Sequence, residues 1–351
     1  MEYRQVGRSG LRVSTLTLGT ATFGGTGGVA HWGNTDVAGA RRLIDRSVDA
    51  GINCIDTADA YSDGLSEEIL GEALDGRHDG ILVSTKARLS MGGGPNDAGL
   101  SRHHLIAACE ASLRRLRRDH IDLYVMHCWD GQTPLEETLS ALDALVRSGK
   151  VRYIGCSNFS GWHLMKAAGV AERHGYEPFA AQQIYLSLQS RDAEHELMPA
   201  AIDLGVGTFV WSPLAGGLLS GKYRRGVVPE GAARHVGDWN EPPIHDEDQL
   251  YDTIDVIVGI AAARGVPAAQ VALAWLLDRP GITSLVIGAR TEDQLIANLG
   301  AVDVRLTAEE AAALERVSRR PLPYPLWHQL DGAADRLSPA DLSALGSHLP
   351  T

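Results

Sequence analysis

One rhythm constrains this chain more than any other feature. Short apolar runs of strand length alternate, through most of its 351 residues, with segments of helical amphipathicity. Strands are predicted at 16–19, 53–56, 81–85, 123–126, 153–156, 180–184, 208–211 and 284–287. Helices are predicted at 37–50, 67–74, 102–117, 135–148 and 161–174, more weakly at 193–204, and then at 249–264 and 268–277. Start signals support them: Ser66 precedes two glutamates in "LSEE", and Pro134 opens "TPLEE". A strand followed by a helix crosses over to pair in parallel with the next strand. Eight such units fit a closed (β/α)8 TIM barrel better than an open doubly wound sheet, the other arrangement the pattern allows. A hairpin turning at "GRSG" is predicted over residues 3–13, ahead of the first unit. The expected division is a barrel over 1–318 and an extension over 319–351 that packs on or near the barrel mouth through Tyr324 and Trp327. The Gly/Pro-rich connection 224–248, which carries Trp239, is expected to be an ordered rim loop after the seventh strand.

In such a barrel every strand's carboxyl end opens on one rim, and that rim carries the chemistry. The stretch "GINCIDTADAYSDG" ends an apolar strand on Asp56 and reaches Tyr61 five positions later. Lys86 closes "ILVSTK" on the third strand and His127 follows "LYVM" on the fourth. Adjacent strands lie about 4.8 Å apart, so the four side chains can converge. A phenol is a poor acid at neutral pH, but a neighbouring ammonium stabilises its anion, and a carboxylate holds that ammonium charged. A histidine beside them can orient a carbonyl oxygen or share the proton. Each residue also has a plain alternative: a loop cap, a structural ion pair, a packed aromatic, a core histidine. Their joint placement at consecutive strand ends favours proton transfer. There is no G-x-S-x-G, no HExxH and no metal-ligand spacing, so neither a serine nucleophile nor a metal is expected. "GTGGVA" at 25–30 satisfies the letters of a dinucleotide fingerprint but does not open a helix, so it is read as a rim loop.

Bulk properties exclude other classes. A formal charge of −12 disfavours nucleic acid and anionic membranes as partners. The basic run "RRLRR" at 114–118 lies on a helical pattern and is expected to be a solvated face. Cys54, Cys109, Cys128 and Cys156 show no paired spacing and are expected to be reduced. The first residues contain no apolar leader, and 204–221 is broken by Gly, Ser and Pro, so a cytoplasmic protein is expected.

Five separated motifs, in order, give the chain a family likeness: "GINCIDTADAYSDGLSEEILGEAL", "STK", "DLYVMHCWD", "YIGCSNF" and "WSPLAGGLLSGKY". Over residues 3–318 the chain resembles the aldo-keto reductases. The resemblance implies NADP(H)-dependent reduction of an aldehyde or ketone, with Asp56, Tyr61, Lys86 and His127 as catalytic tetrad and Tyr61 as proton donor. It also implies that Ser157, Asn158 and Gln183 hold the nicotinamide carboxamide and that Trp211 stacks on its ring. Thr20, Asp56, Ser212, Pro213, Leu214, Gly216 and Lys222 would line the cofactor towards its pyrophosphate. Gly288, Arg290, Gln294 and Asn298 match the adenosine-phosphate site. There Arg290 could pair with a 2′-phosphate, while Gln294 replaces an arginine that many members carry. The substrate wall is expected from Phe23, Trp32, Tyr61, His127, Trp129 and Trp239. A cofactor-binding, redox-sensing subunit of the same fold, with little turnover, is the alternative function.

Overall fold

The computed structural model describes residues 1–227 and 242–349. Its centre is a closed barrel of parallel strands: β3 (Leu16–Gly19), β4 (Cys54–Asp56), β5 (Leu82–Ala87), β6 (Ile121–Met126), β7 (Val151–Ser157), β8 (Ala181–Tyr185), β9 (Gly207–Trp211) and β10 (Ile282–Gly288). β10 closes the ring by pairing with both β9 and β3. Each predicted strand is a barrel strand, with ends displaced by two residues at most.

Helices α1 (Val37–Asp49), α2 (Leu65–Leu74), α3 (Arg102–Leu116), α4 (Leu135–Arg147), α5 (Gly161–His174), α6 (Leu197–Leu204), α7 (Glu247–Arg264) and α8 (Ala268–Leu277) lie between the strands. The predicted 193–204 helix divides into a 3-10 turn, Asp192–Glu194, and α6. The physical reason is Pro199, which lacks an amide proton and is tolerated only in a first turn, so the helix begins near Leu197. Four further helices, unassigned from the sequence pattern, follow: α9 (Glu292–Leu299), α10 (Ala308–Ser318), α11 (Leu326–Gly332) and α12 (Pro339–Leu345). No single helix among the described residues is long and apolar enough to cross a membrane.

The two-residue periodicity of a strand sorts the side chains. Odd-numbered inward positions low in the barrel are apolar: Leu123, Val125, Ala181 and Phe209 pack with Cys54, Val286 and the hairpin's Val6 and Val13. Their outward neighbours Ile55, Val83, Tyr124, Ile154, Ile184 and Val210 join the larger core under the helices. Each such buried apolar side chain contributes about 1.5–3 kcal/mol.

The hairpin, β1 (Tyr3–Gln5) against β2 (Arg12–Ser14), seals the amino-terminal end. Arg4 Nη1 donates to Ile282 O, the Arg8 amide to Gly205 O, and the Ser14 amide to Asn53 Oδ1, all at the starts of barrel strands. Gly7 makes this closure possible. It has a φ of +57°, and a Cβ there would lie 2.2 Å from Gly205 O.

Two or four residues further along each strand the inward positions turn polar: Cys54 gives way to Asp56, Leu82 to Ser84 and Lys86, Ala181 to Gln183, Phe209 to Trp211. The same alternation that builds the apolar floor therefore raises the site at the rim.

The C-terminal segment lies along the outer wall, where α12 packs on α6. Arg320 Nη2 reaches Gln189 O in the loop after β8, and Arg319 Nη2 donates to Ser347 O. Tyr324 and Trp327 are 74% and 49% exposed.

Candidate active site

β4 delivers Asp56 and β5 delivers Lys86 into the same buried corner, both essentially inaccessible to solvent. Lys86 Nζ donates to Asp56 Oδ2 at 2.5 Å and to Thr57 O at 2.8 Å, and lies 3.4 Å from Tyr61 Oη. The second carboxylate oxygen, Oδ1, accepts from Ser84 Oγ at 2.9 Å and from Gln183 Nε2 at 3.0 Å. Burial pulls the Lys86 pKa down, but the Asp56 carboxylate and Tyr61 more than offset it, leaving the amine above its ordinary value. The corner thus holds an ammonium whose third contact is a phenol.

An unusual backbone puts the phenol there. Ser62, Asp63 and Gly64 adopt φ of 51°, 56° and 94°, a left-handed run that costs roughly 1–2 kcal/mol at each non-glycine residue. It persists because the rim loop after β3 straps it down. Ser62 Oγ donates to Phe23 O (2.8 Å), the Gly25 amide donates to Ser62 Oγ (3.0 Å), and Thr26 Oγ1 donates to Ser62 O (2.9 Å). The "GTGGVA" segment forms this strap and contains one 3-10 turn, Gly27–Val29.

His127 stands edge-on to Tyr61, with ring centroids 5.9 Å apart and planes at 78°. Burial, reinforced by Lys86 and Arg88, lowers its pKa to about 3, so the imidazole is neutral at physiological pH. Its buried Nδ1 has no partner among the described residues. The four expected side chains therefore meet at one point of the rim. An ammonium against a phenol lowers the cost of the phenolate, and so the cost of giving up the phenolic proton to an oxygen placed before it.

The residues expected to hold a cofactor form the adjoining arc. Asn158, at φ 54°, receives Trp211 Nε1 on its Oδ1 (3.2 Å) and donates its Nδ2 to His127 O (2.9 Å). Ser157 Oγ is buried and has no partner among the described residues, which fits an amide group of a ligand. Gln183 commits its NH2 to Asp56, which ties this residue of the arc to the polar corner.

After β9 the chain turns sharply through Ser212 (φ 50°), buried Pro213, Leu214, Ala215 (φ 51°), Gly216 (64°) and Gly217 (99°). Gly217 lies beside Lys222, an exposed residue, and the successive positive-φ residues turn this loop back on itself, a setting that suits phosphate. At the end of β10, Gly288 is exposed, Arg290 half-buried and Asn298 buried, and Gln294 Oε1 accepts from the Arg290 amide at 2.9 Å. The residues present fit a nucleotide with an amide at one end and phosphates along the loop.

Two expected residues sit elsewhere, and a third falls outside the described residues. Thr20 is fully buried, its hydroxyl shared between Asp56 O (3.2 Å) and Ser66 Oγ (2.9 Å), so it splices β3 to the next loop and is closed to a ligand. Phe23 is also fully buried, because its ring packs into the core beneath the strap. Trp239 lies outside the described residues. Trp129 is half-buried and stacks on His163 (3.7 Å, 10°), with Phe159 and Trp162 edge-on around it; Trp32 is half-buried on the first loop.

Other contributors escape motif reading. Ser84 and the Thr57 carbonyl complete the Asp56–Lys86 corner, and Tyr185 tilts against Trp211 at 4.9 Å, directly opposite it in the β8–β9 register. Period two was the available signal: Ser84 and Tyr185 lie two residues from Lys86 and Gln183 on the same strand faces.

A sequence profile described as the aldo/keto reductase family matches residues 15–319. The chain belongs to that family. Among its relatives it is similar to an uncharacterized oxidoreductase, YrpG, of Bacillus subtilis (strain 168), 40% identical over 88% of this chain and 93% of the other. It is also similar to a probable voltage-gated potassium channel subunit beta of Oryza sativa subsp. japonica, 37% identical over 90% and 96% of the two chains. A protein of the same description from Arabidopsis thaliana is 36% identical over 87% and 92%. Family and fold together make this aldo/keto reductase chain an oxidoreductase scaffold with its polar corner at the carboxyl rim of the barrel.

Proposed function

We propose that this aldo/keto reductase reduces an aldehyde or ketone to an alcohol, using NADP(H), with Tyr61 as proton donor. The observation that carries the reading is the Tyr61 hydroxyl, 3.4 Å from an ammonium that is itself clamped by Asp56. Ser157, Asn158 and Gln183 would hold the carboxamide end, Trp211 the ring, and Ser212–Lys222 with Arg290 the phosphates. A nicotinamide dinucleotide bound there would supply the hydride. Tyr61 would give its proton to the carbonyl oxygen as charge builds on it, while Lys86 stabilises the phenolate left behind and Asp56 keeps Lys86 charged. The neutral His127 ring would hydrogen-bond the same oxygen and leave the proton's origin with Tyr61. Arg290 favours a 2′-phosphate through its planar guanidinium.

The test is oxidation of NADPH and of NADH across a panel of aldehydes and ketones by wild type, Tyr61→Phe and Lys86→Met. Turnover by both variants at the wild-type rate overturns the assignment. A second reading has its own support in the two relatives described as probable potassium channel beta subunits. On that reading the chain binds the nucleotide tightly and turns over little. Micromolar or tighter NADPH binding, with no turnover on any carbonyl, is its signature.

A further inference from the structure

Asp59 lies between Asp56 and Tyr61, and the proton-transfer chemistry described above does not use it. It is completely buried, and neither carboxyl oxygen has a hydrogen-bonding partner among the described residues. Its main chain, by contrast, is stitched to the site. The Thr57 amide donates to Ser84 O (2.8 Å), the Asp59 amide to Lys86 O (3.1 Å) and the Tyr61 amide to Ala58 O (3.2 Å). The segment thus continues the β4–β5 pairing along the end of β5 as far as Lys86.

The charged and titratable groups facing this carboxyl come from four elements. Glu67 on α2 is fully buried, accepting from Thr85 Oγ1 at 2.5 Å and from Arg115 Nε of α3 at 2.7 Å. Lys86 approaches from β5 and Tyr124 from β6. Both Glu67 oxygens are occupied, so Glu67 offers negative charge and the Arg115 guanidinium is already engaged. An anion at Asp59 would face a second carboxylate with no side-chain donor of its own, and the Ala60 amide, Arg115 and Lys86 offset its burial only in part. The nearest relief is rotation of 58–60 towards solvent, which would carry Tyr61 with it.

We propose that Asp59 is a positioning residue: an uncharged, buried carboxylic acid that keeps the 57–61 segment seated on β5 and the Tyr61 phenol within reach of Lys86. Burial first, and Glu67 second, push the Asp59 pKa up to about 8, against the Ala60 amide, Arg115 and Lys86. The segment is therefore seated at neutral pH and unseats in the alkaline range. Any effect on turnover rests on the carbonyl-reductase reading; the seating does not.

The experiment is hydrogen–deuterium exchange of residues 56–64 in the full chain from about pH 6 to about pH 9.5, corrected for intrinsic exchange, in wild type, Asp59→Asn and Glu67→Gln. Wild type should lose at least about tenfold in protection around pH 8, while D59N, which cannot ionise, stays level. E67Q removes the opposing carboxylate and should move the transition to lower pH by about one unit. Identical profiles in wild type and D59N overturn the proposal. If D59N does not fold, an unmoved transition in E67Q overturns it. The pH profile of kcat adds an independent readout: the alkaline limb of wild type should shift to higher pH in D59N. Absence of turnover in every protein would count against the reductase reading alone, and the exchange data would still decide the role of Asp59.

Discussion

Two clusters of buried charge stabilise this molecule in opposite styles. At the mouth, Lys86 meets Asp56 with further contacts to the Thr57 carbonyl and a phenol, and nearby Ser157 Oγ and His127 Nδ1 are buried without partners among the described residues. On the outer wall, Arg191 is gripped by Glu194 through Nε (2.9 Å) and Nη2 (2.6 Å), by Glu315 (2.7 Å) and by Ser318 Oγ (3.2 Å). Arg279 joins the same two glutamates at 3.1 Å, and both guanidinium groups flank the Trp275 ring at 5.0 and 4.7 Å. The outer knot pairs two cations with two anions and ties the loop after β8 to α8 and α10. In the inner corner the ammonium is instead set against a phenol that has a proton to give. The lesson is that burial of charge does not by itself mark a reactive site; a titratable partner held against that charge does.

Perturbing each cluster should therefore affect different observables. The largest effect is expected from Tyr61→Phe, which removes the inner proton: kcat should fall by about 10²–10⁴, with the unfolding midpoint nearly unchanged. Glu315→Ala should do the converse. It leaves Arg191 buried and short of one carboxylate, costing about 3–5 kcal/mol in urea unfolding with little change in kcat.

The pH axis separates the clusters again. Glu315 is held below the usual carboxylate range because Arg191 and Arg279 outweigh its burial. Its contribution is complete above about pH 4.3 and disappears as pH falls through the folded value. His127 loses stability in the same acid direction but over a window that opens at higher pH. Its folded pKa of about 3 lies below that of the unfolded ring, so the unfolded chain takes up a proton first and stability falls from about pH 6.5 to about pH 3. The loss is at most about 1.4 kcal/mol per pH unit. His127→Gln should flatten that slope in melting curves and leave neutral-pH stability alone. The smallest change is expected from Tyr185→Phe, which deletes contacts to Ser187 Oγ (3.1 Å) and Gln189 Oε1 (3.0 Å) behind Trp211. About 0.5–1.5 kcal/mol should be lost, seen as a few-fold weaker nucleotide binding by fluorescence titration.

The barrel and its polar corner were legible because both rest on local periodicity: eight apolar runs of strand length, and Asp56, Lys86 and His127 at the ends of consecutive ones. What escaped depends on contacts distant in sequence. Phe23 and Thr20 looked available because they follow a strand at the rim, yet Ser62 Oγ bonds the Phe23 carbonyl, and Ser66 on α2 bonds the Thr20 hydroxyl. The left-handed run at Ser62–Gly64 has a glycine only at its last position, so composition gave no warning of it. Asp59 reads as a loop acid in "DTADAY"; only the packing of α2 and α3 behind it shows that it lies in the interior.

The hairpin stopper also decides which end of the barrel is left for chemistry. With Val6 and Val13 packed beneath Phe209 and Leu123, the interior is solid from the amino-terminal end upward, and the floor under the polar corner is a rigid apolar plug. Whatever binds here must rest on top of that plug, at the carboxyl rim, and cannot enter from below.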